Sequence, residues 1–158
     1  MADKSFRHGD INVLLTAAPI VPLYEEAIRY LLITYPQDQV KDLTFEFANR
    51  GDYLVTGIPC VGGTCGCGTD YMLQRKFCRI KVAVGKREEK KSTGELLRIL
   101  FHEYCHLLQY AEGRLRALPY RQREDEANAF PLLALPGFLQ TLLPEKISSG
   151  GVDKVLSV

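Results

Sequence analysis

The sequence predicts one α+β domain in which a small, mostly antiparallel sheet packs on helices. One helical pattern is followed by three strand patterns and then by two further helical patterns. The strand patterns follow one another too closely for a parallel crossover between every pair. A chain of 158 residues with an apolar fraction of 46% is long enough for a single hydrophobic core.

The first half of the chain is expected to supply one packing helix and the strands. The helix shows apolar residues at helical spacing and ends at Pro36, whereas the strands alternate apolar and polar residues, as at Leu43, Phe45 and Phe47. The expected elements are a loose terminus at 1–10, a strand at 11–16, a helix at 22–35, a hairpin at 43–58 and a strand at 78–84. The sheet therefore has three predicted strands or more.

The helical stretch at 96–113 carries the motif that organises the chain. It contains His102-Glu103-Tyr104-Cys105-His106, an H-E-x-x-H motif. Residues four apart lie one above the other on a helix, so His102 and His106 can offer two imidazole nitrogens to one metal ion. Glu103 lies beside them, where a carboxylate can act as a general base on water. This pattern is typical of a zinc hydrolase.

The ends of this helix are also marked in the sequence. Ser92 and Glu95 fit a capping box at the start, and Gly113 is a natural residue for the stop. The alternative is a core helix whose two histidines are only hydrogen-bonded. Burying the motif among leucines without a metal would strand several polar groups, which is costly.

A catalytic zinc ion needs a third protein ligand. A second helix, predicted at 124–135, supplies acidic candidates. Glu126 lies in line with Phe130 and Leu133, a stripe that is expected to face the core, and we therefore predict Glu126 as the ligand. Glu124 lies about 200° round the helix from Glu126. It is interpreted as charge favoured at a helix N-terminus.

These motifs resemble those of the ImmA/IrrE family of zinc peptidases, a branch of the gluzincins. That family pairs H-E-x-x-H with a downstream E-A-N-x-F and a closing L-L-x-P. This chain has Glu126-Ala127-Asn128-Ala129-Phe130 and then Leu133-Ala134-Leu135-Pro136, and the match covers about residues 78–136. The family usually has Ala where this chain has Pro131. Because proline removes a helical hydrogen bond, a bend is expected just past Glu126.

The resemblance implies a minimal gluzincin-type zincin fold and a zinc-dependent peptidase. Zinc would be held by His102, His106 and Glu126, with Glu103 as general base and Asn128 supporting a ligand. The substrate would be a protein or peptide, and a transcriptional regulator is a candidate partner, because proteins resembling this family often act on or beside one. A rival interpretation is a zinc-binding regulatory or structural protein of the same fold without general proteolytic activity.

Two further details of the substrate site are expected. In gluzincin-like folds, the strand before the motif helix forms the upper rim of the cleft, so the strand at 78–84 is expected to pair with extended substrate. Tyr110 and Tyr120 are both candidate donors to an oxyanion, and the sequence does not choose between them.

Four cysteines at positions 60, 65, 67 and 78 have a spacing that is not a standard pair of C-x2-C units. They are interpreted as free thiols in a Gly-rich loop, a structural zinc site, a disulfide, or a ligand of the catalytic metal. The last alternative resembles peptide deformylases, which combine H-E-x-x-H with an upstream cysteine; Cys60 would be that ligand. The E-G-C-L motif of that family is absent.

Composition bounds the partners and the compartment. A net charge of +1 gives no electrostatic case for nucleic acid or an anionic membrane, and no apolar run approaches transmembrane length. The N-terminus lacks an apolar signal region, and five cysteines are an odd number, so a cytoplasmic protein is predicted. A single domain is predicted over 1–158, with its core at about 22–143 and tails at 1–10 and 148–158.

Overall fold

The computed structural model of the chain describes residues 2–17, 22–48, 54–55, 58–59, 62–86 and 89–142. Its elements are β1 Ala2–His8, β2 Ile11–Ala17, α1 Pro22–Thr34, β3 Val40–Ala48, β4 Leu54–Val55, β5 Ile58–Pro59, β6 Gly63–Asp70, β7 Arg75–Ala83, β8 Gly85–Lys86, β9 Glu89–Lys90, α2 Thr93–Ala111 and α3 Tyr120–Thr141. The predicted α+β class is confirmed. The tail at 148–158 lies outside the described residues.

Five strands form one mixed sheet in the order β1-β2-β3-β7-β6. The two outer pairs, β1 with β2 and β6 with β7, are antiparallel, whereas β2 with β3 and β3 with β7 are parallel. The prediction of a mostly antiparallel sheet is therefore wrong. The parallel β2–β3 pair is possible because α1 provides the crossover that parallel neighbours require.

Two strands of this sheet lie where the sequence predicted irregular chain. Strand β1 occupies most of the expected loose terminus at 1–10, and Gly9, with φ of +62°, makes the tight turn into β2. Strand β6 occupies the glycine- and cysteine-rich stretch. Both strands are poor in the alternating large apolar residues that predict strands, because each lies at an edge of the sheet.

The predicted hairpin at 43–58 does not form. Strand β3 lies between β2 and β7, and β4 pairs with β5 in a separate two-stranded sheet. Residues 49–53, which would have formed the hairpin turn, lie outside the described residues. The buried side chains of β3 explain its central place, since Val40, Leu43, Phe45 and Phe47 all lie in the main core.

The sheet buries one face against the helices. Alternate residues of β2, β3 and β7 are buried, and they join side chains from α1, α2 and α3 in one hydrophobic cluster. The hydroxyl of buried Tyr104 on α2 donates to the carbonyl oxygen of Tyr35 (2.8 Å), just past the end of α1. Among the described helices, none combines the length and apolar composition that crossing a membrane requires.

Both ends of α2 are as the sequence predicts. The Ser92 hydroxyl accepts a hydrogen bond from the backbone N–H of Glu95 (3.2 Å). At the other end, Gly113 has a φ of +74°, a conformation that favours glycine. These caps fix the start and end of the helix that carries the histidine pair.

Helix α3 is longer than predicted and runs through two prolines. It begins at Tyr120 rather than at residue 124, and it contains both Pro131 and Pro136. Its buried residues Ala127, Pro131, Ala134 and Phe138 recur at helical spacing and face the core. This inward stripe differs from the predicted one, because Leu133 is 78% exposed.

Candidate metal centre

Three side chains from two helices converge at one point. One ligand atom each from His102, His106 and Glu124 lies within 4.8 Å of the other two. The Nε2 atom of His106 is 2.8 Å from one Glu124 carboxylate oxygen, and the Nε2 atom of His102 is 3.6 Å from the other. Two imidazoles and a carboxylate are a ligand set that zinc accepts, with one position left open in a catalytic site. The described residues therefore fit a metal ion of this kind.

The periodicity of the two helices produces this convergence. His102 and His106 are four residues apart on α2, so both project from one side of the helix. On α3, Glu124 lies three residues before Ala127 and so continues the buried stripe toward α2, against which α3 packs. A carboxylate at this place on α3 meets the two histidines directly.

Glu126, the predicted third ligand, faces a different partner. Both of its carboxylate oxygens accept hydrogen bonds from Nη2 of Arg114, at 2.7 and 2.9 Å. The structure thus brings Glu124, and not Glu126, to the histidine pair. The small residues Ala127 and Ala134 were the signal that could have identified the inward face, since they leave room for α2 to approach.

A buried carboxamide supports His106 from behind. The Nδ1 atom of His106 is 2.8 Å from Oε1 of Gln109, which is fully buried. Gln109 in turn donates from Nε2 to the carbonyl oxygen of Arg123 (3.2 Å). Because the amide nitrogen is committed there, Oε1 must accept the hydrogen of His106 Nδ1. The sequence analysis did not identify Gln109.

This hydrogen bond determines which kind of group can bind Nε2, on the opposite side of the His106 ring. With Nδ1 protonated, the neutral ring presents a lone pair from Nε2 toward the Glu124 carboxylate. Two lone pairs at 2.8 Å repel unless a positive charge lies between them. Either a proton or a metal ion satisfies that requirement, and the nearby Nε2 of His102 favours a shared cation.

His102 is held in a state that suits a ligand. Burial, and then the neighbouring His106, lower the pKa of His102, which favours its neutral form. The Asn128 side chain forms a hydrogen bond with it and acts in the opposite direction. A neutral imidazole is the form that binds metals. Asn128, which the resemblance implied as a supporting residue, contacts His102; its support of a metal ligand stays a prediction.

Glu103 is the buried carboxyl group beside the histidines. It is 6% exposed, and its Oε1 atom is 3.9 Å from Nε2 of His102. Burial, and secondarily the charge of Glu124, raise the pKa of Glu103 to about 8. An added cation at the three ligand atoms would favour the ionised carboxylate, because an opposite charge at this distance lowers the pKa of an acid.

His102, Glu103 and Glu124 line a cleft of about 390 Å³. Its lining residues are Gly62, Gly63, Lys91, Glu95, Arg98, Ile99, His102, Glu103, Glu124 and Asn128. Neither predicted oxyanion donor is among them. Tyr120 is 70% exposed at the start of α3, and Tyr110 lines a separate cavity. The cleft gives a substrate access to Glu103, Glu124 and His102.

The strand beside the cleft is β6 and not the predicted strand at 78–84. That stretch belongs to β7, which is paired on both sides, so the expectation that it pairs with substrate is wrong. In the described part of the sheet, β6 is the edge strand next to α2. The sequence does not indicate this edge strand, because β6 consists largely of small residues.

Four of the five cysteines lie in the described residues: Cys65 and Cys67 are half-buried on β6, Cys78 is buried on β7 and Cys105 is buried on α2. Cys67 and Cys78 form a disulfide across β6 and β7, and Sγ of Cys65 is 3.6 Å from Sγ of Cys67. Burial raises the pKa of the Cys65 thiol, and it raises that of Cys105 to about 12. Burial thus favours the protonated form of both thiols over the reactive thiolate. Cys60 lies outside the described residues.

Comparisons of the chain with protein-family models, with curated proteins and with solved structures find no match. The resemblance to the ImmA/IrrE zinc peptidases therefore stays a prediction from the motifs. What the structure itself defines is a candidate metal-binding group, formed by His102, His106 and Glu124 beside a buried carboxyl group.

Proposed function

We propose that the chain is a zinc-dependent peptidase. His102, His106 and Glu124 are the metal ligands, and Glu103 is the general base. The observation that supports this most strongly is the convergence of the three ligand atoms within 4.8 Å, with His102 and Glu124 lining an open cleft. Glu103, the proposed base, lies beside these ligands and belongs to the H-E-x-x-H motif.

The chemistry follows from the side chains around the cleft. A zinc ion, when bound, supplies Lewis acidity that lowers the pKa of water towards about 7 and polarises a carbonyl group. The Glu103 carboxylate accepts a proton from the attacking water and delivers it to the leaving amine. The burial of Glu103 keeps bulk water away from this proton transfer.

The β6 edge offers a place for the substrate backbone. The N–H of Ala83 donates to the carbonyl oxygen of Gly62 (2.9 Å), in line with the regular antiparallel register of β6 and β7. By the alternation of such pairs, the backbone groups of Gly63, Cys65 and Cys67 face away from β7. An extended peptide would add to the sheet along this edge and pass over Glu103.

This function agrees with the motif resemblance, with one change of ligand. The proposed glutamate, Glu124, lies two residues before the glutamate of the E-A-N-x-F motif. A gluzincin-type zincin fold and a transcriptional regulator as partner belong to the same proposal and rest on the resemblance alone. A cytoplasmic location is also proposed and rests on the odd number of cysteines.

The test is the substitution Glu103→Gln, which keeps the shape of the side chain and removes its basicity. Wild-type protein loaded with zinc is incubated with a degenerate peptide library, and new termini are identified by mass spectrometry. The variant is expected to lose cleavage by about 10²- to 10⁴-fold while keeping its zinc. Glu112→Gln, which changes an exposed glutamate just past the C-terminal end of α2, serves as the control.

Equal cleavage by wild type and Glu103→Gln would contradict the proposed role of this residue. A wild-type protein that holds zinc but cleaves no peptide in the library would instead favour the zinc-binding regulatory or structural role.

A further inference from the structure

A second cavity, of about 350 Å³, lies at the other end of β6 from the metal centre. It is lined by Gly68, Thr69, Tyr71, Lys76, Tyr110, Gly113, Leu115 and Arg116. None of these residues lines the metal-centre cleft. The cavity lies between the last residues of β6, the start of β7, the C-terminal end of α2 and the turn that follows it.

The two cavities lie along one line. Gly63 of β6 lines the cleft and Gly68 lines the second cavity, a span of about 17 Å along a strand. On α2, Ile99 lines the cleft and Tyr110 the second cavity, which is about 16 Å along a helix. Because β6 and α2 pack against each other and both contribute residues to the two cavities, an extended peptide along β6 would reach both.

The charged side chains that line the second cavity are all positive, whereas those of the cleft are mixed and include Lys91 and Arg98. The cleft contains the carboxyl groups of Glu95, Glu103 and Glu124, whereas no carboxyl group is among the residues that line the second cavity. Its two charged residues, Lys76 and Arg116, form no ion pair within the described part of the chain. The Lys76 Nζ atom lies 5.8 Å from the centroid of the Tyr110 ring.

The polar groups around these two cations are donors. Thr69, Tyr71 and Tyr110 bring hydroxyl groups to the cavity wall. The last backbone carbonyls of α2 are already paired, since the carbonyl of Tyr110 accepts from Gly113 (3.0 Å) and that of Gln109 accepts from Arg114 (2.8 Å). A carboxylate entering the cavity would thus meet two cations and hydroxyl groups that can donate hydrogen bonds.

We propose that this cavity is a specificity subsite for an acidic side chain of the peptide substrate. The acidic residue would lie about five or six residues along the peptide from the bond at the metal centre, because Gly68 and Thr69 are that far from Gly63 along β6. The inference rests on the proposed peptidase function. It assigns to Lys76 and Arg116 a role in substrate selection.

The experiment uses the Glu103→Gln protein, which keeps peptides uncleaved, and a degenerate library of peptides of about twelve residues. Bound peptides are recovered and sequenced. Enrichment of Asp and Glu by about tenfold at one position is expected. The enrichment should disappear when Lys76→Gln and Arg116→Gln are added together. Arg7→Gln, which removes a positive charge on β1 at the opposite edge of the sheet, should leave it unchanged.

Absence of bound peptides, or enrichment without acidic residues, would overturn the subsite. Equal loss of enrichment in the Arg7→Gln control would show a general charge effect and would overturn it as well. Cleavage is scored separately, by giving the recovered peptides to the wild-type protein. Peptides with the acidic preference that are not cut would refute the peptidase function and leave the subsite standing. If peptides are cut but show no acidic preference, the subsite is refuted and the peptidase function stands.

Discussion

The carboxamide of Gln109 holds His106 so that its Nε2 atom faces Glu124. The Oε1 atom of Gln109 and Nδ1 of His106 are 2.8 Å apart, and the side chain that makes this contact is fully buried. A metal-binding histidine depends on such a partner for both its tautomer and its orientation. The substitution of one buried glutamine therefore tests whether His106 is a ligand.

Replacing Gln109 by Leu should weaken zinc binding by about 10- to 100-fold, because the tautomer of His106 is no longer fixed. Affinity is measured by competition with a chromophoric chelator. Gln122→Leu, on the exposed side of α3, is the matched control and should bind zinc as the wild type does. Circular dichroism checks that both variants are folded. Unchanged zinc affinity in folded Gln109→Leu would argue against His106 as a ligand.

Gly63 allows β6 to approach α2 at the cleft. A Cβ atom at this position would lie 2.7 Å from Cγ2 of Ile99 and 2.8 Å from the carbonyl oxygen of Lys81. Gly63→Ala should therefore lower the free energy of unfolding by about 1–3 kcal/mol. Gly66→Ala is the control on the same strand, since a Cβ there meets nothing within 4 Å. Urea denaturation curves compare the two, and equal midpoints would contradict the close approach.

The hydroxyl of Tyr104 ties α2 to the end of α1. It donates to the carbonyl oxygen of Tyr35 at 2.8 Å and lies 3.3 Å from that of Leu31. Tyr104→Phe would remove the hydroxyl that donates to the carbonyl oxygen of Tyr35, so the free energy of unfolding should fall by about 1–3 kcal/mol. The control Tyr120→Phe changes an exposed side chain and should have almost no effect. Thermal and urea unfolding both measure the difference.

Asp42 makes the stability of the fold depend on pH. Hydrogen bonds from Arg75, at 2.8 and 3.2 Å, are the largest cause that lowers the pKa of Asp42, and Asn12 adds another. A lowered folded-state pKa stabilises the protein above the unfolded-state value of about 3.9, and the contribution is lost as pH falls through the folded-state pKa. The stability gap between wild type and Asp42→Asn should thus shrink below about pH 4. The difference in unfolding free energy is measured by urea titrations at several pH values. A difference that stays constant with pH would contradict a contribution from the Asp42–Arg75 pair.

Much of the candidate metal centre could be predicted because it depends on local periodicity. The i, i+4 spacing of His102 and His106 and the caps at Ser92 and Gly113 are properties of one helix, and the sequence alone determines them. The third ligand depends on which face of a second helix packs against the first. The large residue Leu133 suggested one face, but the small residues Ala127 and Ala134 are the ones that let α2 and α3 approach.

The sheet was harder to predict because strand order is a long-range property. The apolar alternation of β3 and β7 identifies them as strands but not as parallel neighbours, a pairing that joins residues 35 apart such as Leu43 and Cys78. The edge strand β6 has little apolar pattern, because glycine and cysteine fill the side that approaches α2. Gln109 was missed because a polar residue on a helix has a visible role only once its buried partners are known.

Metal content is the direct test of whether His102, His106 and Glu124 bind zinc. It is measured by mass spectrometry on protein purified without added metal. Wild type, Glu124→Ala and Glu126→Ala are compared, since these two glutamates lie two residues apart on α3. We expect wild type and Glu126→Ala to hold one zinc ion per chain at the histidine site, and Glu124→Ala to lose it. Loss in Glu126→Ala with retention in Glu124→Ala would contradict the metal centre described above, as would folded wild-type protein without metal.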